Sequence, residues 1–176
     1  MSKIKLATTW LDGCAGCHMS LLDVDEGLLE LLEAADIVYG PLVDIKEFPE
    51  GVDVALVEGA ASSEEDVELL HRIRERSRIV VALGDCAVTS NVPSMRNRFP
   101  VVQILERAYI ENADAQPQTP SEGVPALLPQ SRPIHSVIKV DYHLPGCPPS
   151  AALILQSLNE LVAGRLTEPG PLAKFG

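Results

Sequence analysis

The stretch RIVVALGDC, residues 78–86, has five consecutive apolar residues, from Ile79 to Leu83, followed by Gly84 and then Cys86. A continuous apolar run of this kind is typical of a strand that is buried on both faces of a parallel sheet. The stretch VDVALVEGA, residues 52–60, has the same character up to Glu58. The two stretches predict a mainly parallel sheet with helices packed on both of its faces.

Strand-like and helix-like segments alternate along the rest of the chain. Further strands are predicted at residues 3–10, 35–44 and 134–144, and helices at residues 18–35, 64–77, 101–110 and 148–164. Ser62 and Ser63 precede acidic residues at the spacing of a helix N-cap, and Gly27 is a candidate kink. The alternation predicts a three-layer α/β fold, and the flavodoxin-like strand order is the preferred version. Such a sheet binds ligands beyond the carboxyl ends of its strands.

A single domain is expected over residues 1–176, because this length suffices for one core and no internal repeat is visible. Within it, the proline-rich stretch at residues 111–133 shows no clear periodicity and is predicted to be a long loop. A loop of that length in a compact domain is usually functional or held by a partner.

Composition argues against several classes of partner. The net charge of −11 disfavours binding to nucleic acid or to an anionic membrane. No apolar run is long enough to cross a bilayer, and the N-terminus is too short and polar for a signal-peptide core. We therefore expect a cytoplasmic protein, in whose reducing surroundings the four cysteines bind metal or carry out redox chemistry.

Each of the cysteines follows a predicted strand. Cys14 and Cys17 come after the first strand, Cys86 ends the stretch quoted above, and Cys147 follows the last strand. Because the carboxyl ends of parallel strands meet at one edge, all of the sulfurs are expected at one site. Glycines that border them let the chain approach closely and let backbone N–H groups point at sulfur; they are Gly13, Gly16, Gly84 and Gly146.

The spacing of the cysteines leaves three chemistries open. An iron–sulfur cluster is favoured, and the proline directly after Cys147 is suggestive of one. A structural zinc site usually has two close cysteine pairs, whereas only Cys14 and Cys17 are close here. A thioredoxin-like dithiol would account for that pair, but it gives Cys86 and Cys147 no reason to share the edge.

The motifs WLDGCAGCHMS, VEGA, GDCA and LPGCPP occur in the same order as in the small subunit of nickel–iron hydrogenases. The chain resembles that family over most of its length and is most similar to its soluble, NAD-reducing group. The resemblance implies a flavodoxin-like domain in which one 4Fe-4S cluster is bound by Cys14, Cys17, Cys86 and Cys147. It also implies that hydrogen is split in a separate large subunit, so that no catalytic residue is expected here.

The same resemblance implies the other partners and cofactors. Electrons would pass from the large subunit, through this cluster, to diaphorase iron–sulfur and flavin subunits that reduce NAD. The nickel–iron centre, further clusters, FMN and NAD are thus expected only in partner subunits of a hydrogen:NAD oxidoreductase. Alternatives are the small subunit of a viologen-reducing or sulfhydrogenase-type complex and, from a different class, a zinc-stabilised interaction module.

Two details of the first motif separate the chain from its relatives. The related subunit of respiratory complex I is expected to have adjacent cysteines, so the sequence CAGC favours a hydrogenase. Membrane-bound and periplasmic hydrogenases often carry glutamate where this chain has Gly13. The resemblance therefore implies no proton path through this position.

Several neighbours of the cysteines are candidates to support the site, namely Gly13, Gly16, Glu58 and Gly146. Glu58 ends an apolar strand at the edge of the cysteines, which suggests a position near the cluster or a partner, although a solvated strand end would also explain it. His18 follows Cys17 and either donates to a cluster sulfide or has an ordinary structural role.

Overall fold

The computed structural model describes residues 3–165 and residue 175, so both ends of the predicted domain lie outside the described residues. The strands in this part of the chain are β1 (Ile4–Trp10), β2 (Ala35–Tyr39), β3 (Val52–Glu58), β4 (Ala61–Ser63), β5 (Ser77–Leu83), β6 (Leu127–Arg132) and β7 (Tyr142–Leu144). The α-helices are α1 (Gly16–Leu22), α2 (Glu26–Ala34), α3 (Glu64–Arg76), α4 (Asp85–Thr89), α5 (Val101–Glu106) and α6 (Ala151–Val162). Val92–Arg98 and Ile134–Ser136 form 3-10 helices, and Arg107–Glu111 form a π-helical turn.

A five-stranded parallel sheet in the order β2-β1-β3-β5-β7 organises the molecule. Numbered by the strands of this sheet alone, the order is 2-1-3-4-5, which is that of flavodoxin-like folds. The strands β4 and β6 form a separate antiparallel pair. The predicted three-layer α/β fold with a mainly parallel sheet is therefore confirmed.

Two hydrophobic cores lie on opposite faces of the sheet. Val54 and Leu56 of β3 belong to the core that also contains Leu153 of α6. Val57 of the same strand belongs to the other core, with Leu70 of α3. Successive side chains of a strand point to opposite faces, so an uninterrupted apolar run is what a central strand between two helical layers requires.

The start of α3 is fixed by a capping box. The Ser63 hydroxyl accepts a hydrogen bond from the Asp66 N–H at 3.1 Å, and the Asp66 carboxylate accepts the Ser63 N–H at 2.8 Å. Acidic residues fill the first turn, and Arg74 and Arg76 stand in the last turn, as the helix dipole favours. The predicted N-cap is confirmed, and Ser63 is the residue that provides it.

The helix predicted at residues 18–35 is divided in two. Helix α1 ends at Leu22 and α2 begins at Glu26, with Asp25 between them at a φ of 52°. This positive φ is what interrupts the helical path. Gly27, the predicted kink, lies inside the first turn of α2 instead.

Three predicted boundaries are wrong. In the segment predicted as a strand at residues 134–144, Ile134 and Ile138 are buried one helical turn apart, and only Tyr142–Leu144 join the sheet. The strand predicted at residues 35–44 ends at Tyr39. The loop predicted at residues 111–133 contains β6, which pairs with β4; its residues are mostly exposed, so its sequence lacks the alternation that marks a strand.

No helix in the described part of the chain has both the length and the apolar content that crossing a bilayer requires.

Candidate functional site

The carboxyl edge of the sheet brings the cysteines to one place. Cys14 and Cys17 follow β1, Cys86 stands in α4 directly after β5, and Cys147 follows β7. Cys14, Cys86 and Cys147 line a cavity of about 150 Å³. Cys17 is buried, whereas Cys14 and Cys147 are exposed, so one sulfur lies on the protein side of the site and two lie towards solvent.

The loops around these sulfurs pack closely at three glycines, and a Cβ on Gly146 would lie 2.5 Å from the Pro149 Cα. A Cβ on Gly84 would lie 2.2 Å from the Cys17 sulfur, and the φ of +81° at this residue also favours glycine. A Cβ on Gly16 would lie 3.2 Å from the Cys14 sulfur. Gly13 is different, because its Cβ would make an ordinary contact of 3.5 Å with Gly59.

Burial and neighbouring groups favour the protonated form of two of the thiols, Cys17 and Cys86. Burial raises the pKa of the Cys17 thiol well above its usual range, and the charges of Glu58 and of the other cysteines raise it further. Burial likewise raises the pKa of Cys86. The hydrogen bond from the Val92 N–H lowers this pKa, but the effect of burial is larger. A positively charged group among these sulfurs would compensate the repulsion, and its binding would release protons.

Hydrogen bonds to sulfur come from the segment after α4. The Asn91 side-chain amide donates to the Cys147 sulfur at 3.5 Å, and the Val92 N–H donates to Cys86. The glycine N–H groups have other acceptors: that of Gly84 donates to the Leu144 carbonyl, and that of Gly146 to a carboxylate. A backbone N–H group does point at sulfur, as expected, but it belongs to Val92 and not to either of these glycines.

The Glu58 carboxylate lies under the first cysteine loop and is only 2% exposed. It accepts the backbone N–H of Cys17 at 3.3 Å and that of His18 at 2.9 Å, and it also contacts Nδ1 of the His18 ring. The alternative of a solvated strand end is thus wrong. The buried Nε2 of His18 has no hydrogen-bond partner among the described residues, and the ring packs edge-on against Trp10 at 5.5 Å.

The family of the chain follows from comparison with known proteins. A family described as the NADH ubiquinone oxidoreductase 20 Kd subunit matches residues 14–161. The delta subunit of the NAD-reducing hydrogenase HoxS of Cupriavidus necator is 43% identical over 168 residues, covering 93% of this chain and 80% of that relative. The chain belongs to the small-subunit family of nickel–iron hydrogenases. The resemblance drawn from the four motifs is confirmed.

Two further comparisons show similarity to different members of this family. A subunit of the F420-non-reducing hydrogenase vhu of Methanocaldococcus jannaschii is 42% identical over 163 residues, which cover 92% of this chain but only 57% of that relative. A crystal structure of an NAD+-reducing [NiFe]-hydrogenase in the H2-reduced state contains a chain that matches with a TM-score of 0.94 and 39% identity, over 99% of this chain and 100% of that one.

The hydrogenase family implies an iron–sulfur cluster, and the residues at the carboxyl edge fit one. Cysteine thiolates are the usual ligands of such clusters; Cys14, Cys86 and Cys147 line one cavity, and the buried Cys17 interacts electrostatically with them. Within residues 3–165 and 175, no group of three or more His, Cys, Asp or Glu is placed to hold a single metal ion. A cluster needs its ligands farther apart than one ion does, because each thiolate binds a different iron.

Sequence reasoning missed several polar residues of this site. Asn91 lies in a segment with no regular pattern, so nothing marked its amide as a sulfur contact. Asp85 was visible beside Cys86, but only the fold brings its carboxylate to Gly146. Asp12 accepts a hydrogen bond from the Ser62 hydroxyl at 2.6 Å, which ties the first cysteine loop to β4.

Proposed function

We propose that this chain relays electrons in a nickel–iron hydrogenase through one 4Fe-4S cluster held by Cys14, Cys17, Cys86 and Cys147. The observation that carries the proposal is the convergence of the cysteines from three separate strand ends: Cys14, Cys86 and Cys147 line one cavity, and Cys17 is close enough to interact electrostatically with all three. A disulfide exchange role would use only the first two, and it would leave the placement of the others unexplained.

The residues of this chain would hold, orient and shield the 4Fe-4S cluster. Cys17, buried beneath the cavity, anchors it on the protein side, and Gly84 allows that sulfur its position. Asn91 donates a hydrogen bond to Cys147 on the open side. When bound, the cluster would take up and release one electron at a time. Such donors to sulfur tune its reduction potential.

The hydrogen-activating large subunit is the partner that we assign to the open side of the site. Exposed apolar side chains stand there: Val92 lines the cavity, Trp10 ends β1 at the same edge, and Met19 is two residues after Cys17. Clustered exposed apolar residues of this size mark protein interfaces. A nickel–iron centre in that partner would then face the cluster directly.

We further infer NAD as the final acceptor, reached through diaphorase iron–sulfur and flavin subunits that hold FMN and further clusters. The NAD-reducing relatives support this choice, because they match this chain over most or all of their length. The F420-non-reducing relative supports the alternative of another acceptor, but much of its length has no counterpart here. We assign the complex to the cytoplasm, where free thiols stay reduced.

The experiment that tests the cluster is anaerobic purification of the native complex, followed by iron, sulfide and zinc analysis and electron paramagnetic resonance. We expect this chain to contribute about four irons and a reducible signal. Cys86→Ser and Cys147→Ser should each remove that signal, whereas Ser121→Ala, at an exposed serine that does not line the cavity, should retain it. Zinc without iron would support the interaction module and refute the relay.

The acceptor is tested on the same complex with hydrogen as the electron donor. We expect reduction of NAD, and loss of it when the flavin subunit is removed while a viologen dye is still reduced. A native complex that reduces viologen but never NAD would assign the chain to the alternative group.

A further inference from the structure

We propose that Glu58 and Asp85 are positioning residues of the cluster: each buried carboxylate fixes a cysteine-bearing loop to its neighbour, and their charges lower the cluster's reduction potential. The inference rests on the proposed function, because it concerns the same cluster. It adds a role for two side chains that bind no iron themselves.

Glu58 fixes the loop that carries Cys17. It is the last residue of β3, and both of its carboxylate oxygens are used: Oε1 accepts the Cys17 N–H at 3.3 Å, and Oε2 accepts the His18 N–H at 2.9 Å. The His18 ring contacts Oε2 as well, under the edge of Trp10. One buried side chain of β3 thus holds the backbone that places the Cys17 sulfur.

Asp85 performs the equivalent task for the other two loops. It precedes Cys86, is 4% exposed, and accepts the Gly146 N–H on Oδ1 at 2.6 Å. The Asp85 N–H in turn donates to the Gly146 carbonyl at 2.9 Å. This reciprocal pair joins the loop of Cys86 to the loop of Cys147, so neither can shift without the other.

Backbone N–H groups do not require a charged acceptor, which makes the choice of carboxylates informative. A side-chain amide could accept the bond that Asp85 accepts on Oδ1, and one of the two that Glu58 accepts, whereas burying a carboxylate beside thiolates costs free energy. A 4Fe-4S cluster is net negative once its four thiolates are counted, and it becomes more negative when it is reduced. Negative charge close by stabilises the oxidised, more positive state of the cluster, so its reduction potential falls.

The test replaces each carboxylate by its amide in the native complex, as Glu58→Gln and Asp85→Asn. Asp53→Asn is the matched control, since Asp53 also stands in β3 and accepts a backbone N–H, that of Lys5 at 2.9 Å, but at the opposite end of the sheet. We measure the midpoint potential by redox titration, the paramagnetic resonance spectrum, and the rate at which a chelator removes iron.

Both variants should shift the midpoint potential upwards and alter the spectrum, with iron release roughly 10- to 100-fold faster. Asp53→Asn should match the parent in all three measurements. A variant that assembles with its partners yet holds no cluster also supports the positioning role, provided that the control is loaded. Parent-like potential and iron release in both variants would overturn the inference alone, whereas a parent complex without a cluster would overturn the proposed function.

Discussion

The two ends of the central sheet use the same kind of bond in different electrostatic settings. At the amino end, Asp141 accepts the Val80 N–H at 2.9 Å and pairs with Arg74, while Asp53 accepts the Lys5 N–H and lies 3.5 Å from Arg78. These carboxylates are partly exposed and are neutralised by arginine.

At the carboxyl end, Glu58 and Asp85 also accept backbone N–H groups, but they are almost completely buried and stand beside thiols. At the amino end, the carboxylates of Asp53 and Asp141 are thus compensated by arginines of the same chain. The carboxyl end instead holds its carboxylates with backbone N–H groups and, for Glu58, with the His18 ring, next to the thiols. We infer that one end secures the fold and the other is arranged for a cofactor, and the following variants test that division.

The largest effect is expected at the carboxyl end, from Gly84→Ala. The added methyl group would lie 2.2 Å from the Cys17 sulfur, and an alanine would be strained at a φ of +81°. We expect the free energy of unfolding to fall by about 3 kcal/mol, and we expect the variant to lose most of its iron. Chemical denaturation and iron analysis measure the two losses.

The control for this variant is Gly123→Ala, where φ is also positive but nothing lies within 4 Å of the added methyl. This variant should lower the free energy of unfolding by only about 1–2 kcal/mol and leave the iron content unchanged. Full iron content in Gly84→Ala would show that the site end tolerates displacement of Cys17.

At the amino end, Arg74→Met should destabilise the fold without affecting the site. The guanidinium donates to the Asp141 carboxylate and to the carbonyls of Ser77, Arg78 and Lys139, and methionine keeps only part of the apolar stem. We expect about 1–3 kcal/mol less stability, measured by urea unfolding. A shifted cluster potential in this variant would contradict the division between the two ends.

Ser63→Ala should have a smaller effect of the same kind. It removes the hydroxyl that accepts the Asp66 N–H and so weakens the N-cap of α3. We expect a loss of about 1 kcal/mol, visible as a lower melting temperature, with an unchanged paramagnetic resonance spectrum. Ser121→Ala, which removes an exposed hydroxyl, should leave the melting temperature as it is.

The smallest effect concerns pH. Burial acts to raise the pKa of Asp141, but the hydrogen bonds from Arg74 and Val80 outweigh it and hold the pKa below its usual value of 3.8. A lowered pKa stabilises the fold above pH 3.8, and this contribution is lost as the pH falls through the lowered pKa. The difference in unfolding free energy between the parent and Asp141→Asn should therefore shrink on acidification, as measured by denaturation at several pH values. A difference that stays constant with pH would contradict a stabilising role for the ionised Asp141.

The sequence predicted those features that depend on local pattern. The apolar run at Ile79–Leu83 identified a central strand, and the serine–acid spacing identified the N-cap of α3. The cysteines could be placed at one edge because parallel strands determine where their carboxyl ends lie. The features it missed depend on contacts between distant residues.

The antiparallel pair of β4 and β6 illustrates this limit. Ala61 pairs with Arg132 across a long separation in sequence, and β6 contains a proline and exposes most of its side chains. Nothing local distinguishes such a segment from a loop. The hydrogen bond from the Gly146 N–H to Asp85 also joins residues that are distant in sequence. The residues around Asp85 do not indicate which N–H group its carboxylate accepts.

Cys147 follows β7, the last strand of the sheet, and this position governs when the site can be completed. During synthesis the first cysteine pair leaves the ribosome early, and its supporting Glu58 soon after. The fourth thiol, and the Gly146 N–H that secures its loop, emerge only after the rest of the sheet has been made. Under the proposed function, the cluster can be completed only after residue 147 has been synthesised, because a nascent chain stalled before it would present three of the four proposed ligands.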